Sequence, residues 1–503
     1  MDQQAIQIIE WLQSQGVRLN ALSVDSRAVA PGDVFLAYPG ARADARHFIP
    51  QALERGAAAV LWERQGFEWK PEWNACQRPV ENLRELAGAL AHQVYGKPSE
   101  RLWTMGVTGT NGKTSCTQWL AQACTLCKAR TAVIGTLGMG FPPAPGVDAG
   151  RSLQEMPNTT PDAVSLHRAF AQLLKEGAQG VAMEVSSVGL DQGRTNGVAF
   201  GAALFTNLSR DHLDYHGDMD AYARAKQKLF TTPGLKHAVL NLDDVQGVQI
   251  ARRLLGSGVH RIAFSCFEGV ASRSGLDSFV EARSLQVSAQ GIAFDAVTSW
   301  GEAHIETPLI GRFNVSNLLG VLGMMLASGV PFESAVASLP QLRPVTGRMQ
   351  RVGGDGRPLV VVDYAHTPDA LEQALVALKD VARSGGGRLI AVFGCGGDRD
   401  RGKRPLMAAV ASRQADRLVI TSDNPRSERP EAIIEQIAAG ATIDYLAVTD
   451  RREATANAIR SAAAGDVVLL AGKGHENYQE VAGVRYPYSD LEQARRALEQ
   501  WDA

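Results

Sequence analysis

The run Gly106-Val107-Thr108-Gly109-Thr110-Asn111-Gly112-Lys113-Thr114-Ser115 begins at the end of the apolar stretch RLWTMGV and opens a Cys/Trp/Leu segment that reads as a helix. These residue types suit nucleotide phosphates. Small residues let backbone N–H groups converge on phosphate oxygens, Lys113 offsets charge on the outer phosphates, and the Thr114 hydroxyl is placed to hold Mg²⁺. The helix N-terminus adds a partial positive charge. The spacing departs from GxxxxGK[ST], which needs glycine where Val107 stands; the loop is built on Gly106, Gly109 and Gly112 instead. Motors, kinases and ligases share such a loop, so it does not by itself name a reaction.

Two further segments narrow the chemistry. Met183-Glu184-Val185-Ser186-Ser187 closes an apolar run, and in a parallel sheet this puts Glu184 at the carboxyl edge beside the phosphate loop. A carboxylate there suits a metal ion or its water. The segment Thr206 to Asp214 follows another such run and offers His212 as a further ligand. Lys226 and Lys228 in AYARAKQKLF sit on an expected helix, where residues two apart point in different directions.

The elements that must position these groups follow from the apolar runs. TAVIG, GVAMEV, AALFTN and HAVLNL read as buried parallel strands separated by helices, with a more alternating β insert from Glu281 to Ile310. From about residue 340 the rhythm restarts with LVVVDYA, RLIAVFG, RLVITSD, DVVLLAG and a closing helix over Ser489 to Trp501, a second doubly wound unit. The expected fold is α/β in three domains: residues 1–98, a small leader; 99–340, a central phosphate-loop domain; and 341–503, a Rossmann-like domain. The length of 503 residues agrees with about three domains.

With 51 basic and 53 acidic residues the net charge is −2, which leaves no basic surface for nucleic acid or anionic lipid. Glycine is in excess, 50 residues of 503, as expected of many turns and phosphate loops. Cys124 and Cys127 form a CxxC in an amphipathic stretch from Thr114 to Lys128, and no second pair answers it, so both read as helix thiols. Sparse cysteines fit a reducing compartment. The uncharged run from Phe313 to Pro331 carries Asn314, Ser316, Asn317 and Ser328, which favours a buried helix over a membrane span. The N-terminus has no secretory pattern, and the protein is expected in the cytoplasm.

The blocks TGTNGKTS, NTTPDA, MEVSSVGLDQGR, TNLSRDHLDYHGDMDAYARAK, GRFNVSN, VDYAHTPDAL, SDNPRSERP and AGKGHENYQ occur in order, and from Ser23 almost to the C-terminus the chain resembles the Mur ligases of peptidoglycan synthesis. Within that family SDNPRSERP looks like the pattern of members that add a diaminopimelate. The resemblance implies an amide-forming, ATP-dependent ligase that makes an acyl phosphate from a UDP-N-acetylmuramoyl dipeptide carboxylate, which the amine of meso-diaminopimelate then attacks. It further implies two Mg²⁺ ions, with Thr114, Glu184 and His212 as ligands, and Lys226 carbamylated by CO₂ so that it too becomes an anionic ligand. Lys228 is the control.

By the same resemblance, Gly109, Thr110, Asn111, Gly112, Lys113, Thr114 and Ser115 hold the ATP phosphates, Asn314 and Asn317 lie near the base, and Arg348 and Asp363 reach phosphate and ribose from the third domain. Val24 and Ser26 in the first domain match uridine contacts. Asn158, Thr159, Thr160, Ser186, Gln192 and Arg194 match contacts to the muramoyl dipeptide and pyrophosphate. In Gly40-Ala41-Arg42-Ala43 the histidine or glutamine of some relatives is absent. Arg399, Asp423, Asn424, Pro425, Arg426, Gly472 and Glu476 match the amino-acid pocket, with Arg426 forking onto the distal carboxylate and Asp423 and Asn424 taking the ammonium. A monomer acting on small molecules alone is expected. A folylpolyglutamate synthase-like ligase would share the loop without the first domain or DNPR, and a phosphate-loop motor or scaffold would hydrolyse ATP without either substrate.

Overall fold

The computed structural model describes residues 2–40, 43–143, 153–288 and 291–501. Short runs of Val, Ile, Leu, Ala and Phe form strands buried along their length, and three large sheets result, each covered on both faces by apolar side chains. Near-continuous apolar strands require this double cover.

The first sheet has four parallel strands, Leu22–Ser23, Val34–Ala37, Ala59–Glu63 and Gln77–Val80. The second has ten. From one edge to the other they are Gly301–Thr307, Ile292–Thr298, Ser278–Val287, His260–Ser265, His237–Asn241, Ala202–Phe205, Trp103–Thr108, Gly180–Glu184, Thr131–Gly135 and Gly138–Gly140. The strands from Ser278–Val287 across to Thr131–Gly135 are parallel, whereas both edges are antiparallel. The Trp103–Thr108 strand lies at the centre, and a Cβ on Gly106 would press on Phe200 and Leu229, so the strand packs closely there.

The alternating stretch Glu281 to Ile310 is β structure that completes the edge of the central sheet, and in Gly301–Thr307 exposed and buried residues alternate because only one face is covered. One sequence expectation is corrected: the segment after the phosphate loop is not amphipathic. The Lys113–Leu126 helix is buried almost all round, between the sheet and the equally buried Arg312–Ala327 helix, and Trp119 Nε1 donates to the Arg343 carbonyl at 3.0 Å. Cys124 is buried in this helix, and Cys127 follows its last residue with its thiol 3.4 Å from the Ser334 carbonyl.

The third sheet runs Gln350–Gly353, Leu359–Asp363, Val467–Ala471, Leu389–Phe393, Arg417–Thr421 and Tyr445–Val448, parallel except for the first. Its carboxyl edge presents Asp363, Gly472, Gly394 and Asp423 side by side. A hairpin, Tyr478–Val481 with Val484–Pro487, lies beyond that edge.

Beneath this edge Arg451 and Asp490 form a fully buried bidentate pair at 2.8 and 2.9 Å, and Arg451 also donates to the Ala471 carbonyl, next to Gly472. Tyr488 donates to the same carboxylate at 2.8 Å. Arg451→Met leaves that carboxylate buried without its charge partner, so a loss of about 3–5 kcal/mol is expected, read as a lower urea midpoint. An unchanged midpoint would contradict the role given to the pair.

The first sheet's helix Leu83–Val94 packs on the central unit's Ala163–Lys175 helix. There His167 is buried, its Nε2 3.0 Å from the Asn196 carbonyl and its ring 5.1 Å from that of His92. Burial pushes His167 down to about 4. The unfolded chain binds its proton near pH 6.5, so between pH 6.5 and 4 the unfolded state gains the proton first and stability falls with pH, by up to about 3 kcal/mol. Urea titrations at pH 7 and 4.5 check this. His167→Gln should have the shallower pH dependence, and equal slopes would assign the effect elsewhere.

Candidate functional site

A cleft of about 1350 Å³ lies between the units. Its floor is the phosphate loop. Gly112 has φ +84° and caps the Lys113–Leu126 helix, and a Cβ there would collide with the Asn317 carboxamide; at Gly109 a Cβ would collide with the Thr206 hydroxyl. Lys113 Nζ is folded back onto the carbonyls of Gly109 and Thr110 at 2.9 and 2.8 Å, closing the loop on itself. Thr110 Oγ1 is tied to the Ser209 carbonyl and to the Tyr222 hydroxyl, both at 3.1 Å. Asn111 donates its backbone N–H to Asn207 Oδ1 at 2.9 Å, and its Nδ2 donates across to Asp369 of the third unit at 2.9 Å. Ser115 is buried at the cleft wall.

Glu184 is 1% exposed, and its carboxylate accepts from Thr114 Oγ1 at 3.0 Å, Thr136 N at 2.8 Å and Thr136 Oγ1 at 3.1 Å. Gly135 must lack a side chain, since a Cβ would overlap this carboxylate. Arg348 donates to Thr114 Oγ1 at 3.1 Å and stacks on Tyr364 at 4.4 Å, so the third unit already touches the loop.

Lys226, on the Met219–Gln227 helix, is 2% exposed and donates to the Gly109 carbonyl at 2.7 Å, while its Nζ lies 4.4 Å from the Tyr222 ring. Burial, then the charge of Lys113, holds its amine well below the usual lysine range. Lys228 points the other way, half-exposed and paired with Asp191 at 2.8 Å. His212 has φ 53°, and burial, opposed by Asp211, lowers its imidazole, so a neutral ring faces the cleft at pH 7. Burial alone would raise Asp211, but His366, His212 and Lys403 hold it well below the carboxylate range.

The dipeptide candidates line the same cleft. Thr160 Oγ1 donates to the Glu184 carbonyl and accepts from Ser186 N, Arg194 donates to the Thr160 carbonyl at 2.8 Å and to Gln192 Oε1, and Asn158 and Thr159 sit alongside. Ser186 caps the short helix that follows it. Val24 and Ser26 are not brought to this cleft. Ser26 is buried with its hydroxyl on Gln51 Oε1 at 2.6 Å, and Val24 packs against the first sheet's core. Instead the first unit presents Tyr38, Gly40, Ala43 and Arg84; Ala41 and Arg42 lie outside the described residues.

Asn314 and Asn317 also reach the cleft, Asn317 Nδ2 donating to Asn314 Oδ1 at 3.2 Å and Asn314 Nδ2 to the Ile310 carbonyl at 2.8 Å. Asp363 accepts from the backbone of Met349 and Ala365 at 2.7 and 2.8 Å, and burial raises it.

A smaller cavity, about 140 Å³, opens on the carboxyl edge of the third sheet and is lined by Arg399, Asp423, Asn424, Arg426, Gly472 and Glu476. Pro425 is corrected: it does not line this cavity but forms the turn behind it, its carbonyl accepting from Glu428 N at 3.0 Å and abutting Gly397. Arg426 has φ 51° and anchors one guanidinium nitrogen on the Gly397 carbonyl at 2.8 Å. Asn424 Oδ1 accepts from Lys473 Nζ and Glu480 N, and its Nδ2 donates to Glu476 Oε2. Asp211, His212, Asp214, Tyr364, His366 and Arg399 line both cavities and form their common wall. Thr136, Asp211, His366 and Lys473 were missed by sequence reasoning. Lys473 stands inside AGKGHE, but no spacing rule says which way a side chain turns after a strand ends.

Residues 107–325 match the Mur ligase middle domain, 347–474 the Mur ligase glutamate ligase domain, and 18–95 the Mur ligase family catalytic domain. Strand-loop-helix phosphate binding, a buried strand-end glutamate and a facing third unit thus meet in one chain, which belongs to the Mur ligase family, ATP-dependent enzymes that form amide bonds. Its relatives include the UDP-N-acetylmuramoyl-L-alanyl-D-glutamate--2,6-diaminopimelate ligase of Chromobacterium violaceum, 50% identical over 492 residues that cover 97% of this chain and 96% of that one. The enzyme of the same name from Pseudomonas aeruginosa is 50% identical, covering 96% of each chain. A solved structure bearing that name superposes with a TM-score of 0.66 at 37% identity, covering 97% of this chain and 98% of its own. MurF from Acinetobacter baumannii, at 20% identity and TM-score 0.63, covering 95% and 93%, shares the fold.

Proposed function

We propose that this enzyme adds meso-2,6-diaminopimelate to the γ-carboxylate of D-glutamate in UDP-N-acetylmuramoyl-L-alanyl-D-glutamate, giving the tripeptide precursor of peptidoglycan, ADP and phosphate. The observation that carries the reading is the common wall: a nucleotide-phosphate cleft and a small cavity rich in Arg, Asp and Glu share six side chains, as two sites passing an acyl group to an amine must. In the first step a carboxylate oxygen attacks the γ-phosphorus and the bond to the bridging oxygen breaks, releasing ADP. In the second, the amine nitrogen attacks the acyl carbon, a proton leaves the nitrogen, and the tetrahedral intermediate expels phosphate.

Each group has a task. Asn111, Lys113, Thr114, Ser115 and the N–H groups of Gly109, Thr110 and Gly112 hold the phosphates, with Lys113 leaving its own loop carbonyls to do so. Asn314 and Asn317 bound the base, and Arg348 and Asp363 close from the third unit. Asn158, Thr159, Thr160, Ser186, Gln192 and Arg194 orient the dipeptide and its pyrophosphate. Val24 and Ser26 would hold uridine on the first sheet, apart from the main cleft. We assign the three substrates to residues 1–98, 99–340 and 341–503 in turn, in a monomer working in the cytoplasm; no helix of the described residues is long and apolar enough to cross a membrane.

The donor set fits one Mg²⁺ as it stands, because the Thr114 hydroxyl and the Glu184 carboxylate are 3.0 Å apart and face the loop. A second would draw on Glu184 and neutral His212, with Lys226 once it is a carbamate, since its ammonium would repel a cation. Bound there, the two ions would offset the phosphate charge and stabilise what builds up on the transferring phosphoryl group.

ADP release measured with the dipeptide and an amino-acid panel tests the reading. Turnover should require both substrates, stop with EDTA and be fastest with meso-diaminopimelate. Turnover without either substrate would instead mark a motor or scaffold.

A further inference from the structure

Lys473 is 0% exposed and follows the Val467–Ala471 strand at the back of the amino-acid cavity. Its Nζ donates to Asn424 Oδ1 at 2.8 Å and to Glu476 Oε2 at 2.6 Å, lies 3.7 Å from Asp423 Oδ1 and stands 5.2 Å from the centre of the Tyr478 ring. No reading of the sequence assigns it a role, yet it reaches both acceptors offered to the distal ammonium, Asp423 and Asn424, and Glu476 beside them.

The hydrogen-bond count decides what those acceptors can still do. A carboxamide oxygen has two lone pairs. On Asn424 both are taken, by Lys473 Nζ and by Glu480 N at 2.9 Å, so Asn424 is no longer an acceptor for a ligand cation. Glu476 Oε2 receives Lys473 and Asn424 Nδ2, which leaves Oε1 for a ligand. Asp423 Oδ1 is buried without a hydrogen-bond partner among the described residues. Gly472, at φ +112°, has no Cβ, so Asp423 Oδ2 stays open on that side. Two carboxylates against one buried ammonium leave a single negative charge, enough for one added cation. Arg426 stands ready for the accompanying carboxylate.

We infer that Lys473 is the positioning and specificity-determining residue of this cavity: by fixing Asn424 and Glu476 and cancelling one of two carboxylate charges, it makes the site fit a zwitterionic amino-acid head and not a bare ammonium. Ammonium recognition falls to Asp423 and Glu476, and Asn424 serves to orient Glu476. This rests on the proposed diaminopimelate activity. A lysine side chain, with an ammonium and no carboxylate, would satisfy the acidic pair but strand Arg426. Without Lys473 the Asp423–Glu476 pair loses the one ammonium held against it, and the balance at that end of the cavity tips toward simple cations.

The test is steady-state kinetics on the full-length enzyme with ATP, Mg²⁺, dipeptide and either meso-diaminopimelate or L-lysine. Lys473→Met is expected to raise KM for meso-diaminopimelate about a hundredfold, with the ratio of diaminopimelate to lysine turnover falling and KM for ATP and dipeptide within about threefold of wild type. Lys473→Arg should recover part of the loss. The double variant Lys473→Met/Glu476→Gln, which restores the charge balance, should lie about tenfold or more closer to wild type than Lys473→Met. If Lys473→Met does not fold, the double variant carries the test, with a KM within about tenfold of wild type expected and a larger rise overturning the charge argument. A diaminopimelate KM unmoved in Lys473→Met, or three KM values rising together, would overturn the inference. A wild type that uses both amino acids equally, combined with a selective KM rise in Lys473→Met, would overturn the diaminopimelate reading and support Lys473 as the positioning residue.

Discussion

Lys226→Ala should lower kcat by about a thousandfold, whereas Lys228→Ala should stay within about twofold of wild type. The two lysines share a sequence context but not an environment. Lys226 is buried against the Gly109 carbonyl, and burial with the charge of Lys113 favours the free amine, the form that adds CO₂ to give a carbamate and a proton. Lys228 is held against Asp191 near solvent. Carbamylation as proposed would turn a repelling cation beside the phosphate loop into an anion, and removing Lys226 would then cost that charge. Rates of both variants, with ¹³C-bicarbonate spectra, check this: the carbamate signal should persist in Lys228→Ala and vanish in Lys226→Ala. Equal activities in the two would sink the assignment.

The second large effect is amino-acid choice. Wild type should prefer meso-diaminopimelate to L-lysine by about 10⁴ in kcat/KM, because lysine leaves buried polar groups unpaired. Arg426 is central to this. Its backbone is left-handed, and one nitrogen is anchored on Gly397, so the fork is pre-aimed before a ligand arrives. Arg426→Ala should cut the preference by about a hundredfold or more, chiefly by loss of diaminopimelate turnover. Competition assays with both amino acids measure the ratio directly; a ratio unchanged in Arg426→Ala would place the carboxylate elsewhere.

Much of this architecture is legible in the chain. The strand ending at Thr108 and those ending at Glu184, Phe205, Asp363 and Thr421 announce themselves as apolar runs bounded by Gly, Asn and Asp, and a parallel sheet then brings their carboxyl ends together. The edge strand Gln350–Gly353 and the hairpin at Tyr478–Pro487 escape notice because their polar residues carry no continuous apolar signal, and Tyr445–Val448, though apolar, is only four residues long and partly exposed at the sheet edge. Lys226 is the sharper case. A helix bearing Arg224, Lys226 and Lys228 reads as solvated, and only the fold of the phosphate loop over it shows which of the three is buried. Ser26 is the opposite case: its motif is matched residue by residue, yet its hydroxyl is turned onto Gln51 and does not line the main cleft, although Tyr38, Gly40, Ala43 and Arg84 of the same unit do.

The common wall between the two cavities has a pharmacological reading. Asp211, His212, Asp214, Tyr364, His366 and Arg399 line both cavities, so one tethered molecule spanning both, with a tetrahedral acyl-phosphate mimic at its centre and a zwitterionic head at one end, has a short path to follow. A linker matched to that path makes the second contact intramolecular, and affinity beyond either half by about 10²–10⁴ is the expected gain. Calorimetry on the tethered compound and its separate halves measures that gain, and additive affinities with no surplus would show that the wall does not permit both ends to seat at once.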